Sequence, residues 1–237
     1  MAHFVEGSRS GASPHATFDL DDRSHEDVSR PTGRDAGLYR RFVKRLCDVI
    51  AVLLAAPIVL PLVAVLALLV RRDGGPAFYI QDRVGQGGHL FRCWKLRSMI
   101  PDADAELEAH LERHPEARRE WAVHQKLKND PRITPIGRII RKMSLDELPQ
   151  LWNVLCGDMS LVGPRPMMPE QSPLYSGGAY YRLRPGLTGF WQISERNGTA
   201  FADRAYYDDE YDNRLSFVTD TLVLIATVRV VLRGTGQ

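Results

Sequence analysis

From Val49 to Val70 the chain runs 22 residues without a charge: fifteen Val, Ile or Leu, five Ala, and two prolines, Pro57 and Pro61. No other feature restricts the fold as much. On an insertion scale the fifteen aliphatics alone favour the bilayer by about 5–9 kcal/mol. A straight helix of that length reaches about 33 Å, enough to cross a hydrocarbon core. Two details complicate a simple span. Basic residues flank both ends, Arg40, Arg41, Lys44 and Arg45 before and Arg71 and Arg72 after, so the Lys/Arg asymmetry that orients spanning helices gives no direction. The prolines stand four residues apart on one helical face, and each deletes a backbone hydrogen bond at a cost of about 3 kcal/mol in a helix interior. A bend there leaves two arms, each about 12–14 Å long, roughly half a hydrocarbon core. That geometry predicts a re-entrant helix–break–helix entering and leaving by one face. A kinked transmembrane helix is the alternative, and a buried helix of a soluble core fits less well because the block has no polar face.

Three regions follow from this block. Residues 1–36 are rich in Ser, Gly, Asp and Arg without apolar periodicity and read as a disordered tail. Residues 37–72 form the basic juxtamembrane segment and the membrane helix, and residues 73–237 a soluble-looking domain. Within that domain Ala77 to Val84 and His89 to Lys95 bracket Gly85-Gln-Gly-Gly88 and predict a β-hairpin. Helix formers fill 102–128 with a break at His114-Pro115, and a helix is expected after Asp146. Leu215 to Leu232 is apolar but interrupted by Asp220 and Arg229, which predicts an interfacial or packed amphipathic helix rather than a span. The fold class expected is α+β, mostly helical, with a small hairpin.

Composition excludes several functions. With 31 Lys and Arg against 29 Asp and Glu, the chain is too balanced to bind nucleic acid by bulk electrostatics. Three distant cysteines (Cys47, Cys93, Cys156) without a C-x-x-C pair argue against a disulfide framework or a cysteine zinc site. The glycine cluster at 85–88 lacks the Lys-Ser/Thr of a P-loop and is a turn.

Chemistry concentrates in Arg141-Lys-Met-Ser-Leu-Asp-Glu-Leu-Pro-Gln150. The plain reading is a capping box, Ser144 with Glu147. Pro149 opposes it, because counted from Ser144 it falls inside the helix, where its missing N–H costs a bond. Counted from Leu145 or Asp146 it lies in the first turn, and the adjacent carboxylates of Asp146 and Glu147 then sit at the positive end of a helix. Such a pair, with Arg141 just upstream, can hold a divalent cation and present a carboxylate nucleophile. Gly163-Pro-Arg-Pro166 holds Arg165 between two prolines, a preorganised guanidinium for phosphate or a plain turn. Lys95 and Arg97 would share a face if their segment is a strand, as a phosphate-facing pair or a solvated edge. Arg184 opens a further basic turn whose Gly186 and Gly189 permit close backbone approach.

These segments, in order, resemble the monotopic phosphoglycosyl transferases, the bacterial sugar transferase family. The resemblance runs from about Tyr39 to Gly236 and rests on Lys44-Arg-Leu-Cys-Asp48, Lys95-Leu-Arg-Ser-Met99, Ser144-Leu-Asp-Glu-Leu-Pro-Gln150, Gly157-Asp-Met-Ser-Leu-Val-Gly-Pro-Arg-Pro166 and Arg184-Pro-Gly-Leu-Thr-Gly189. It implies a re-entrant helix bent at Pro57, with Pro61 reshaping the bend. It also implies a catalytic domain on the cytoplasmic face of the bacterial inner membrane, and leaves room for a homodimer. Relatives often carry Ser-Pro at the bend where this chain has Ala56-Pro57, so the carbonyls freed there need another partner. The implied reaction moves a hexose 1-phosphate from a UDP-sugar to undecaprenyl phosphate with Mg²⁺. By resemblance Asp146 is the nucleophile, Glu147 helps hold the metal, UMP leaves, and a phosphosugar rests on the aspartate. Arg165, Lys95, Arg141 and Arg184 are the implied phosphate ligands, and Asp208 matches a recurrent family acid. Phe190-Trp-Gln-Ile-Ser194 resembles members that begin exopolysaccharides with glucose or galactose phosphate. The competing expectation is a membrane-docked scaffold of a polysaccharide assembly complex whose acid pair merely caps a helix.

Overall fold

The computed structural model describes residues 35–124, 127–194 and 201–232. The expected disordered tail, residues 1–36, lies almost wholly outside them. A short helix α1 (Asp35–Leu38) and a π-helical turn (Tyr39–Val43) lead into α2 (Lys44–Val70). Tyr39–Asp73 is long and apolar enough to cross a membrane, and only 11% of its most apolar window is covered by the rest of the fold. The sequence predicts a break at the prolines. Instead α2 is helical throughout, Pro57 and Pro61 included. Proline's fixed φ is itself helical, so the backbone stays helical through both residues while the carbonyls of Leu53 and Pro57 lose their intrahelical N–H donors.

Both ends of α2 are fastened to the domain that follows, whereas its middle is bare: Leu54 and Ile58 are 75% and 76% exposed. At the first end Asp48 is buried and accepts hydrogen bonds from Ser160 Oγ (2.7 Å) and the Leu161 N–H (3.2 Å). Arg45 donates to the Val154 and Leu155 carbonyls. At the other end Leu66 and Val70 pack with Leu96 and Ile140, and Arg97 donates to the Val70 carbonyl at 3.2 Å. Arg97 also pairs with Asp73 and bonds the Pro76 and Met99 carbonyls. It is therefore neither a phosphate ligand nor a solvated edge but the pin that holds the helix exit.

The predicted hairpin is present, with β1 (Phe78–Val84) antiparallel to β2 (Leu90–Leu96) and Gln81 opposite Cys93. The break at His114-Pro115 divides the next stretch into α3 (Ala103–Arg113) and α4 (Pro115–His124). Thr134 caps α5 (Pro135–Lys142), its Oγ1 accepting from the Gly137 N–H with Pro135 in the first turn. Next comes α6 (Gln150–Cys156), ended by Gly157 at φ +95°. Buried Asn153 on α6 accepts from the Trp94 N–H (3.1 Å) and donates to the Arg92 carbonyl (2.8 Å), which satisfies the free edge of β2 and binds α6 to the hairpin.

Where the sequence suggests only loops and a basic turn, β3 (Ser160–Val162) and β4 (Gly186–Thr188) pair in parallel, joined through the short helix α7 (Ala179–Arg182). Strands of three residues are too short to leave an alternation signal. The chain ends with α8 (Phe190–Ser194), α9 (Arg204–Arg214) and α10 (Phe217–Leu232). The expected amphipathic pattern is not what α10 shows: Val223 is buried, but Phe217, Leu222, Ile225 and Val228 on its outer surface are apolar too. Its Asp220 receives the hydroxyls of Tyr39 (2.7 Å) and Tyr211 (2.6 Å) and the Lys44 ammonium (2.6 Å), tying the last helix to the start of α2.

Candidate active site

The acid pair lies on a single 3₁₀ turn, Leu145–Glu147, preceded by Ser144 at φ +54°. A non-glycine residue in the left-handed region is uncommon and carries local strain. The Ser144 side chain caps nothing, so the capping box does not form. Nor do the carboxylates sit on the first turn of the α-helix: Pro149 is the N-cap residue of α6 and the pair stands just upstream. Proline there lacks only an N–H that the helix start would leave unpaired. The turn is held from both sides, by α5 before it and by α6, which Asn153 bonds to the hairpin.

Glu147 lines a cleft of about 300 Å³ together with Arg83, Cys93, Lys95, Gln150, Arg165, Pro166, Gly186 and Leu187. Lys95 on β2 lies 3.1 Å from Glu147 and Arg165 lies 3.4 Å from it. Arg165 also stands over the Trp191 ring at 5.9 Å. The structure thus joins three sequence-predicted residues, Lys95, Glu147 and Arg165, at one point. Asp146 lies next to them, half-buried. Burial and the Glu147 charge push its carboxyl up to about 6, against the pull of Lys95 and Arg141, which places Arg141 within the same electrostatic field.

Two predicted residues are elsewhere. Arg184 donates through Nε to the Gly157 carbonyl (3.0 Å) and lines a different cleft, because the chain turns at Pro185 before Gly186 reaches the first one. Asp208 lies on the buried face of α9, accepting from the Tyr175 hydroxyl at 2.8 Å, and is absent from the cleft wall. Burial raises its carboxyl to about 7, while the Tyr175 hydrogen bond and the nearby Arg204 charge hold it down. Its route to the site is Arg204.

Arg83, Gln150 and Arg204 were not expected. Arg83 donates to the Pro166 carbonyl (3.3 Å) and the Gln81 side chain (2.6 Å). Its guanidinium is held below the ordinary range by burial and by Arg165. Strand parity would have found it: in the observed register Arg83 shares a face with Cys93 and Lys95. Arg204 lies over Trp191 (4.2 Å) and Phe201 (4.5 Å), and its Nε is buried without a hydrogen-bond partner among the described residues. Burial and the charge of Arg165 push it down to about 10. Lys95, Arg83, Arg165 and Arg204 therefore crowd positive charge around two carboxylates, a field suited to a polyanionic substrate.

No group of three or more His, Cys, Asp and Glu gathers among the described residues. Mg²⁺ is commonly held by one or two carboxylates, with waters and substrate phosphates completing its shell. Asp146, whose carboxyl is lifted by burial and then by the Glu147 charge, and Glu147 would supply such a donor pair. In magnesium-free protein, isotope-edited infrared spectroscopy should find Asp146 protonated below and ionised above about pH 6. Saturating Mg²⁺ should move that midpoint well downward; an unmoved midpoint would remove Asp146 from the metal site.

The sequence model described as bacterial sugar transferase matches residues 39–234. The UDP-galactose-lipid carrier transferase of Erwinia amylovora is 46% identical over 216 residues, covering 90% of this chain and 45% of that protein. The undecaprenyl-phosphate galactose phosphotransferase of Salmonella typhimurium is 48% identical over 198 residues, 83% of this chain and 42% of that protein. The exopolysaccharide production protein ExoY of Rhizobium meliloti is 41% identical over 210 residues, 88% of this chain and 90% of that protein. The chain thus spans less than half the length of the first two relatives and nearly all of the third.

Proposed function

Because the chain belongs to the bacterial sugar transferase family, we propose that it transfers a hexose 1-phosphate, glucose or galactose, from a UDP-sugar to undecaprenyl phosphate, starting an exopolysaccharide or related glycan. The observation that carries this reading is Glu147, gripped by Lys95 and Arg165 at the wall of a cation-lined cleft, with Asp146 beside it on the same turn. The names of the galactose-transferring relatives and of ExoY support the donor class.

In the proposed reaction an Asp146 carboxylate oxygen attacks the sugar-linked phosphorus of the donor. The bond from that phosphorus to the bridging oxygen breaks, and the electron pair leaves with UMP. An oxygen of the lipid phosphate then attacks the same phosphorus, and the bond to Asp146 breaks to restore the carboxylate. Splitting the transfer this way brings the two anionic substrates to the site one at a time. Arg165, Lys95 and Arg83 orient the diphosphate and offset its charge. A Mg²⁺ ion held by Asp146 and Glu147 would add further neutralisation at the phosphoryl oxygens. Arg204, over the Trp191 and Phe201 rings, adds positive charge behind Arg165.

The re-entrant topology is part of the same proposal. It is supported by the fastening of both ends of α2 to directly bonded elements: Arg45 to α6, Arg97 beyond β2, and α6 to β2 through Asn153. A helix crossing the bilayer would carry those two anchor points to opposite leaflets. Cysteines placed before Lys44 and after Arg72 should label from the cytoplasmic side alone; labelling from opposite sides would establish a span.

The reaction is tested by incubating the protein in nanodiscs with UDP-glucose or UDP-galactose, undecaprenyl phosphate and Mg²⁺. UMP and a lipid diphosphate sugar are expected. Release of UDP would exclude phosphosugar transfer, turnover without acceptor lipid would make the protein a hydrolase, and no nucleotide release from any donor would leave the scaffold.

A further inference from the structure

The second cleft, about 340 Å³, is lined by Arg40, Lys44, Arg182 and Arg184, with Gln86, Ser160 and Tyr211. Asp212 pairs with both Arg40 and Arg182, Asp209 lies 3.8 Å from Arg182, and Asp220 pairs with Lys44. Four cations thus meet three carboxylates. Arg184 has no carboxylate partner among the described residues; its one hydrogen bond goes from Nε to the Gly157 carbonyl. Unlike the acid-pair cleft, this one has no carboxylate on its wall.

Its position carries the rest. Arg40 and Lys44 belong to the two turns immediately before the uncharged run that begins at Val49. Lys44 to Val49 is about 7.5 Å of helix. With the apolar run in the bilayer, as proposed above, those cations stand at the depth of the lipid phosphates. Exposed Phe42 and Leu46 on the same turns, and Phe217 against Tyr39, give the neighbouring surface an apolar character that faces acyl chains. Basic pockets at this depth are suited to anionic headgroups.

We propose that this cleft is a second anion site, holding the phosphate diester of an anionic phospholipid, with Arg184 as its principal ligand. The site is distinct from the reaction cleft, and a seated headgroup would lock the start of α2 against α7 and β3.

The probe is phosphatidylglycerol. The full chain is reconstituted in nanodiscs of phosphatidylglycerol and phosphatidylcholine, extracted into detergent, and its retained lipid measured by native mass spectrometry. One phosphatidylglycerol per chain is expected, with at least five-fold loss in Arg184→Gln. Arg184→Lys, which keeps the charge but lacks the fork, is expected to retain at least half. Equal retention by wild type and Arg184→Gln overturns the proposal, as does equal loss in both variants. Displacement of the lipid by millimolar inorganic phosphate would make it a soluble-anion site and also overturns it. Failure of the wild-type protein to float with vesicles would instead strike the membrane reading on which the proposal rests.

Discussion

Asp146→Asn is expected to abolish transfer, lowering kcat by about 10⁴-fold or more, the scale on which covalent nucleophiles fail when removed. The amide nearly matches the carboxylate in shape, so the 3₁₀ turn and the neighbouring Glu147 contacts with Lys95 and Arg165 should persist. What is lost is the charge that burial and Glu147 leave poised near pH 6. With donor and no acceptor, the wild-type protein should release about one equivalent of UMP and gain a hexose phosphate in its intact mass. The variant should do neither. Glu147→Gln makes the contrast: it removes one metal and cation partner but no nucleophile, so a loss of about 10²–10³-fold with the adduct still detectable is expected. Full activity in Asp146→Asn, or an adduct on another side chain, would end the covalent mechanism.

The acid pair was legible in the sequence because its chemistry is local. Two adjacent carboxylates before a proline and a helix are visible within ten residues, as is Arg165 between two prolines. The hairpin was legible for the same reason, its turn glycines flanked by apolar runs. What could not be read depends on register and on contacts between distant segments. Arg83 joins Lys95 only once the hairpin pairing is known, and Arg204 reaches Trp191 only because α8 and α9 pack together. Arg184 looked like a ligand of the reaction site because its motif is basic and glycine-rich. Nothing local says that the chain turns between Arg184 and Gly186 and so divides them between two clefts. The continuous helix through Pro57 and Pro61 has another cause. Propensity counts the lost hydrogen bonds, but with no polar face and no competing partner the segment has no better conformation to adopt.

Gly186→Ala is expected to be among the most damaging single-methyl changes in the domain. A Cβ at Gly186 would lie 2.1 Å from the Gly163 nitrogen and 2.5 Å from the Thr188 carbonyl oxygen, both backbone atoms that cannot swing aside. Gly163 faces the same constraint in reverse, its own Cβ position lying 2.3 Å from the Arg184 carbonyl oxygen. These contacts are what let Gly163 N–H reach the Thr188 carbonyl (2.8 Å) and Gly186 N–H reach the Pro164 carbonyl (2.7 Å). The two bonds carry the β3–β4 pairing up to Arg165, so separating the strands moves the guanidinium away from Glu147. A cost of about 4 kcal/mol or more is expected, from a total stability of about 5–15 kcal/mol. Thermal melting and limited proteolysis in nanodiscs should therefore find the variant largely unfolded or sharply destabilised, and any folded fraction should transfer phosphosugar poorly. Gly37→Ala, where nothing stands within 4 Å of the added carbon, is the control and should melt with the wild type. If Gly186→Ala also melted like the wild type, the close passage of Gly163 over β4, and with it the placement of Arg165, would be wrong.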